Sequence, residues 1–251
     1  MVVPLLSMAQ LKFSKLVIES KMLYDFKDAE VLITDTLVMK DSSSIKLNYV
    51  KDNNYIHAKV VQIGMGCKII GRGMDGRPGK DGGNGFGVEG PCKNGTVGRN
   101  GARGGDGTNG NNLFFYFEKL NITGSLTIDL SGGNAGDGGN GGHGGGGSPG
   151  TKLCTGGNGG KGGNGAPGGN GGNSGNLLLN CPQCGDLRLL LGKQLIVRVF
   201  GGTAGIGGER GSGGLAGILS NGTSEYDGKP GEPGKAGLDG SPGKNGAINF
   251  Q

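Results

Sequence analysis

The stretch Gly156-Gly-Asn-Gly-Gly-Lys-Gly-Gly-Asn-Gly-Ala-Pro-Gly-Gly-Asn-Gly171 decides the fold of this chain. Glycine returns at every third residue and often fills a second position in the triplet as well. A period of three matches polyproline-II-type helices, which have three residues per turn and no internal hydrogen bonds. Such helices must find their hydrogen-bond partners in neighbouring segments if they are to be buried.

The same period recurs in six separate runs. We number them run 1 to run 6, and they cover residues 73–85, 95–110, 133–145, 156–171, 202–217 and 228–246. Short loops connect runs 1 and 2, runs 3 and 4, and runs 5 and 6, whereas apolar stretches separate one pair from the next. This order predicts three units, each made of a strand, an outward run, a loop and a returning run.

Composition limits what the remainder of the chain can form. The 251 residues include 62 Gly and 9 Pro, and only 33% are hydrophobic and 5% aromatic. So few apolar side chains cannot fill the core of a large globular enzyme domain. Two alternatives remain open, namely disorder and a collagen triple helix. The triple helix is disfavoured because the runs are short and reverse direction, and because Pro is well below the roughly 15–20% expected.

The stretches outside the runs have strand character. Residues 31–39, 44–50 and 55–63 are β-rich, and Ile45, Leu47 and Tyr49 alternate with polar residues as in a strand with one apolar face. The apolar stretches 113–117, 126–130, 187–191 and 195–200 also predict strands.

The predicted fold class is therefore mainly β and irregular, with essentially no α-helix. Residues 1–72 form a β-rich platform or attachment region, for which a β-solenoid is favoured over a β-sandwich. Residues 73–251 form the three strand-plus-hairpin units, which carry a bundle of six antiparallel polyglycine-II helices.

Glycine density predicts which runs are central. A run enclosed on two sides needs Gly at two positions of each triplet, because side chains would hold the backbones apart. Runs 3 and 4 approach that pattern, so we expect them in the interior. Run 6 instead fills its other positions with Pro and charged residues, and we expect runs 1 and 6 at the periphery.

Charge and motifs point away from several function classes. The net charge of +5 is spread along the chain without a basic stripe, which disfavours nucleic-acid binding. No apolar run reaches the roughly 18 residues that would span a bilayer. The two His residues, His57 and His143, lie far apart, and we predict no catalytic residues, no cofactor and no metal.

The five cysteines suggest crosslinks between loops. Cys92 and Cys154 both lie in loops between paired runs, so a disulfide would join the first two hairpins if they pack side by side; two free thiols are the alternative. Cys181-Pro-Gln-Cys184 is at most half of a zinc site. A structural turn or a local disulfide is the favoured interpretation there.

Paired Gly-rich runs joined by variable loops resemble the polyglycine-II sandwich of phage tail-fibre-tip adhesins and, more distantly, the bundle of snow flea antifreeze proteins. In the adhesins, distal loops bind the host-surface receptor. The resemblance therefore implies that residues 86–94, 146–155 and 218–227 form a binding tip. The candidate contact residues are Phe86, Val88, Glu89, Lys93, Lys152, Leu153, Ile218, Leu219, Glu225 and Tyr226.

These observations predict a non-enzymatic structural or adhesive protein located outside the cell, on a cell surface or on a virion. Its expected partners are other structural subunits, bound through residues 1–72, and a surface receptor such as a glycan or an outer-membrane protein. A purely structural virion, fibre or matrix component is the main alternative. Ice binding is disfavoured because charged side chains such as Arg72, Lys80 and Glu232 hold their own hydration shells.

Overall fold

Two parallel β-sheets form the base of the molecule. The computed structural model describes residues 10–219 and 226–251, and among them it contains no α-helix. The strands are β1 (Gln10–Ile18), β2 (Leu23–Asp25), β3 (Val31–Met39), β4 (Ser44–Lys46), β5 (Asn53–Ile63), β6 (Cys67–Ile70), β7 (Asn112–Ile122), β8 (Leu126–Asp129), β9 (Leu177–Asn180), β10 (Leu195–Arg198) and β11 (Ile248–Phe250). One sheet has the order β1-β3-β5-β7-β9-β11 and the other has the order β10-β8-β6-β4-β2. For the described residues, the prediction of a mainly β fold with essentially no α-helix is confirmed.

Each strand pairs in parallel with the strand that comes two places later in chain order, so that β1 pairs with β3 and β2 pairs with β4. In the six-stranded sheet Leu32 pairs with Ile56, which pairs with Phe115, and all three side chains are buried. The five-stranded sheet supplies Ile45, Ile69 and similar residues to the same core. Apolar side chains of one strand thus lie next to apolar side chains of the strand it pairs with. The two sheets cover each other's apolar faces and keep them from water.

The strand predicted over residues 44–50 is wrong beyond Lys46. The chain turns a corner there, because the Asn54 side chain accepts a hydrogen bond from the Asn48 N–H at 2.9 Å and donates one to the Asn48 carbonyl at 3.2 Å. Tyr49 is consequently 61% exposed instead of lying on the apolar face.

The strand predicted over residues 187–191 is also wrong. Leu187–Leu190 form a short 3-10 helix whose first turn is capped by Asp186, which accepts a hydrogen bond from the Arg188 N–H at 3.0 Å. Leu187 is buried in the core from this helix, so its apolar character reflects packing rather than a strand.

The six runs leave the sheets and lie side by side, joined by backbone hydrogen bonds. In the triplet Gly162-Gly163-Asn164 of run 4, all three N–H groups donate. The first donates to a run 6 carbonyl at 2.8 Å, the second to a run 3 carbonyl at 2.7 Å and the third to a side-chain oxygen of run 2 at 2.8 Å. We call this network of hydrogen bonds between the runs the lattice. It provides partners for backbone groups that Gly-rich segments would otherwise bury without any.

The runs form two layers. Runs 1, 3 and 5 make one layer, in which the Gly76 N–H donates to the Asn134 carbonyl, and runs 2, 4 and 6 make the other, in which the Gly98 N–H donates to the Lys161 carbonyl. Further bonds join the two layers along their length. Runs 3 and 4 are the middle members of their layers and most of their glycines are buried, which confirms that they are interior and that runs 1 and 6 are peripheral.

Candidate functional site

The first two loops that join paired runs, and the described ends of the third, lie together at one end of the bundle. The Ser148 hydroxyl in the second loop donates to the Val88 carbonyl in the first at 2.6 Å. The N–H of Gly156, which follows the second loop as the first residue of run 4, donates at 2.8 Å to the carbonyl of Tyr226, which lies just before run 6. We call this end the tip, and define it as residues 86–94, 147–155 and the described residues of 215–227.

A disulfide joins the first two loops of the tip. Cys92 and Cys154 are bonded, with their Cα atoms 6.1 Å apart and a separation of 62 positions in the chain. The Cys92 N–H also donates to the Pro149 carbonyl at 2.9 Å. The crosslink and the hydrogen bonds therefore hold two loops that are distant in sequence as one surface.

Large apolar side chains of the tip point into solvent. The exposed fractions are 70% for Phe86, 38% for Val88, 97% for Leu153, 64% for Ile218 and 50% for Tyr226. The remaining candidate residues are mostly exposed, namely Glu89, Lys93 and Lys152, whereas Leu219 is half-buried and Glu225 lies outside the described residues. Large apolar side chains that are exposed at one end of a molecule, beside charged ones, are a typical setting for an interaction site.

Leu215 belongs to the tip but was not among the predicted residues. It is 81% exposed, and its carbonyl accepts a hydrogen bond from the Gly147 N–H of the second loop. The position of Leu215 within its triplet is the feature that predicts its exposure. Leu215 stands at the triplet position that carries Ser212 and Glu209 earlier in the same run, and that position faces solvent.

A second surface feature is a groove of about 320 Å³ on the outer face of the six-stranded sheet. His57 stacks on Tyr116 there with ring centroids 4.6 Å apart, and partial burial lowers the pKa of the imidazole. The nearby Asp35 carboxylate lies 2.7 Å from the ammonium of Lys59. The stack follows the strand register, so it stabilises the pairing of β5 with β7.

The other sequence features form no further site in the described part of the chain. Cys181 and Cys184 are bonded to each other as a local disulfide, and Cys67 is a buried thiol. Across residues 10–219 and 226–251, no three His, Cys, Asp or Glu side chains converge in a way that could hold a metal ion. Within the same residues, no helix has the length and apolar character that a membrane crossing requires.

Comparison with protein-family models, with curated proteins and with solved structures finds no match for this chain. The tip, the two-layer lattice and the disulfides are therefore the features from which function has to be inferred.

Proposed function

We propose that this chain is a non-enzymatic structural and adhesive surface protein, in which a β-solenoid platform carries a six-run polyglycine-II bundle that presents a binding tip. The observation that carries the proposal is the tip itself. Two crosslinked loops that are widely separated in sequence meet the described ends of a third loop at one end of the bundle, and Phe86, Leu153 and Ile218 are exposed there.

The lattice supports the mechanical part of the proposal. A polyproline-II-type run of 16 residues extends about 50 Å at about 3.1 Å per residue. Because each run is hydrogen-bonded to its neighbours in triplet after triplet, the extension does not depend on a side-chain core. Such a bundle holds its tip away from the sheets at a fixed distance, as an adhesin or a fibre component requires.

The platform supports an attachment role. β1 is one of the two edge strands of the six-stranded sheet, and among the described residues it pairs only with β3. The backbone groups on the other side of an edge strand can bond to another chain. We propose that other structural subunits bind along this edge, as expected for the region 1–72.

The disulfides support the proposed location. Disulfides persist in oxidising surroundings such as the outside of a cell or the surface of a virion, and are rare where thiols are kept reduced. With Cys92–Cys154 and Cys181–Cys184 bonded, four of the five cysteines are oxidised.

The experiment measures binding of the labelled full-length chain to a glycan array and to intact bacterial cells. A tip variant carries Phe86→Ser, Leu153→Ser and Ile218→Ser. The matched control carries Met74→Ser, Ile206→Ser and Leu238→Ser, which replace equally exposed apolar side chains along the runs.

An adhesive tip predicts at least a roughly tenfold loss of binding in the tip variant and retained binding in the control, because exposed apolar anchors supply most of the energy of an interface. Equal binding by all three proteins, or no binding by the wild type, would reject the adhesive role. The chain would then be a structural component without a ligand.

A further inference from the structure

The bundle has two opposite outer faces, and both consist of the side chains at the third position of each triplet. In each triplet of an interior run, the first position faces the other layer and the second faces the preceding run of its own layer. A Cβ at Gly141 would meet run 4, and one at Gly142 would meet run 1. The third position, occupied by His143 in this triplet, points to solvent. Third-position side chains of runs 1, 3 and 5 therefore form one face, and those of runs 2, 4 and 6 form the other.

The two faces carry opposite charge. The first, which we call the acidic face, has four acidic side chains, namely Asp75, Asp81, Asp137 and Glu209. It also has one basic side chain, Arg72, at the third position of the triplet just before run 1. The second, the basic face, has five basic and two acidic side chains: Arg103, Asp106, Lys161, Lys229, Glu232, Lys235 and Lys244. Their net charges are thus −3 and +3, and all of these residues are exposed.

Pairing within each face removes part of this charge locally. Asp75 lies 2.8 Å from Arg72 on the acidic face, and Asp106 lies 2.7 Å from Arg103 on the basic face. The charges in excess are carboxylates on one face and lysine ammonium groups on the other. The remaining basic residues of run 1, Arg77 and Lys80, occupy the second triplet position, which lies on the open edge of the layer and not on the acidic face.

The charges also repeat with a matching spacing. Asp75 and Asp81 on the edge run of the acidic face are six residues apart, as are Lys229 and Lys235 on the edge run of the basic face. Six residues of a polyproline-II-type helix span about 19 Å, so both pairs have the same separation. Each face is about 50 Å long and three runs wide, and at a spacing of about 4.8 Å per run it offers about 700 Å², close to the roughly 800 Å² per partner of a stable interface.

We propose that the acidic face of one copy of this chain binds the basic face of a second copy, so that bundles associate side by side. The faces lie on opposite sides of the molecule, and each copy therefore keeps one face of each charge free after pairing. Such a heterologous contact continues into larger assemblies instead of stopping at a dimer. This association uses neither the tip nor the platform edge, so it stands or falls independently of adhesion.

Salt dependence is the first test. Analytical ultracentrifugation of the full chain is run at about 0.01 M salt, where the Debye length is about 30 Å, and at about 1 M, where it is about 3 Å. We expect species larger than a dimer at low salt and mainly monomer at high salt. A monomer under both conditions, or association that salt does not weaken, overturns the proposal.

Two charge-neutralising variants identify the faces. Asp81→Asn with Asp137→Asn removes acidic charge while each side chain keeps the oxygen that accepts a backbone N–H in the bundle. Lys229→Gln with Lys235→Gln removes basic charge at exposed sites. We expect each variant alone to associate about tenfold more weakly than the wild type, with unchanged melting temperature.

Mixing the two variants is the decisive measurement. The first keeps an intact basic face and the second an intact acidic face, so an equimolar mixture should form a one-to-one complex with wild-type affinity and grow no further. If the mixture associates no better than the separate variants, or if the variants associate like the wild type, the proposed contact is wrong.

Discussion

The side-chain oxygen of Asn100 accepts a hydrogen bond of 2.8 Å from the backbone N–H of Asn164, which lies 64 residues later in the chain. Asn164 repeats the arrangement, because its own side-chain oxygen accepts from the Lys235 N–H at 2.8 Å. In the interior runs, carbonyl oxygens accept the first two N–H groups of a triplet and leave the third without a carbonyl partner. Asn and Asp at third positions provide that partner with a side chain short enough to reach the next run.

We call these side-chain acceptors at third positions the Asn ladder. Removing one of them should destabilise the bundle modestly. Asn164→Ala leaves the Lys235 N–H without its acceptor, and we expect the free energy of unfolding to fall by about 1 kcal/mol. Asn164→Asp keeps the oxygen and should stay close to the wild type. Chemical denaturation of the three proteins measures the difference, and equal losses for Ala and Asp would show that the hydrogen bond does not contribute.

Valine at an interior glycine should be far more damaging than valine on an outer run. A Cβ at Gly160 would overlap the Thr96 carbonyl, and one at Gly163 would overlap the Arg99 carbonyl, so the runs would have to separate. Each backbone group left unpaired costs about 1–3 kcal/mol, and several would be lost together. Lys235→Val replaces an exposed side chain and should change stability by less than about 0.5 kcal/mol.

Thermal melts of Gly160→Val, Gly163→Val and Lys235→Val decide this prediction. A large drop in melting temperature for the two glycine variants alone supports the packed lattice. Similar melting temperatures for all three would mean that the runs do not touch in solution, and would favour a disordered Gly-rich region.

The period of three was sufficient to predict the runs and their depth in the bundle. Glycine at two positions per triplet marks a run with neighbours on both sides, because a Cβ at either position would meet backbone, as at Gly162 and Gly163. The Asn ladder could not be predicted in the same way. It depends on the register between runs 59 to 71 residues apart, which is set by loop lengths and by strand pairing in the sheets.

The sequence does not indicate a strand where consecutive side chains are exposed, because apolar and polar residues no longer alternate there. β1 was not predicted because it is an edge strand on which Lys12, Phe13 and Lys15 are all exposed, so no period of two remains. The sequence indicates the loops of the tip, but the period of three places Leu215 in run 5 and so does not mark it as a tip residue. In both β1 and Leu215, exposure to solvent depends on which neighbouring segment packs against the residue, and the local sequence does not specify that neighbour.

Asp106 should have a pKa below that of an ordinary aspartate. The Arg103 guanidinium, and next the Asn170 N–H, stabilise its carboxylate and lower its pKa from the usual 3.8. Because the folded-state pKa lies below the unfolded one, the stabilisation is complete above about pH 4 and is lost as the pH falls through the folded pKa. A ¹³C NMR titration should show this low value, and Arg103→Gln should raise it.

Asp106→Asn provides the matching stability measurement. It retains an oxygen for the Asn170 N–H and removes the titrating group, so the acid-induced fall in stability should become shallower than in the wild type. An unchanged acid profile, together with an ordinary Asp106 titration, would contradict the contacts assigned to this carboxylate.

Loss of the tip disulfide should destabilise the chain more than loss of the local one. The Cys92–Cys154 bond closes a loop of 62 residues, and the chain-entropy relation assigns it about 4 kcal/mol. The Cys181–Cys184 bond spans a separation of 3 and by the same relation contributes less than about 2 kcal/mol. Denaturant unfolding of Cys92→Ser/Cys154→Ser and of Cys181→Ser/Cys184→Ser compares the two directly.

The lattice also determines what the variant without the tip disulfide should look like below its unfolding transition. Runs 2, 3 and 4 remain joined by backbone hydrogen bonds such as Gly142 to Arg99 and Gly160 to Gly145, so the bundle should stay folded while the first two loops lose their covalent link. Hydrogen exchange should therefore speed up in residues 86–94 and 147–155 and stay slow in the interior glycines. Fast exchange throughout runs 3 and 4 would instead mean that the crosslink, and not the hydrogen-bond lattice, holds the bundle together.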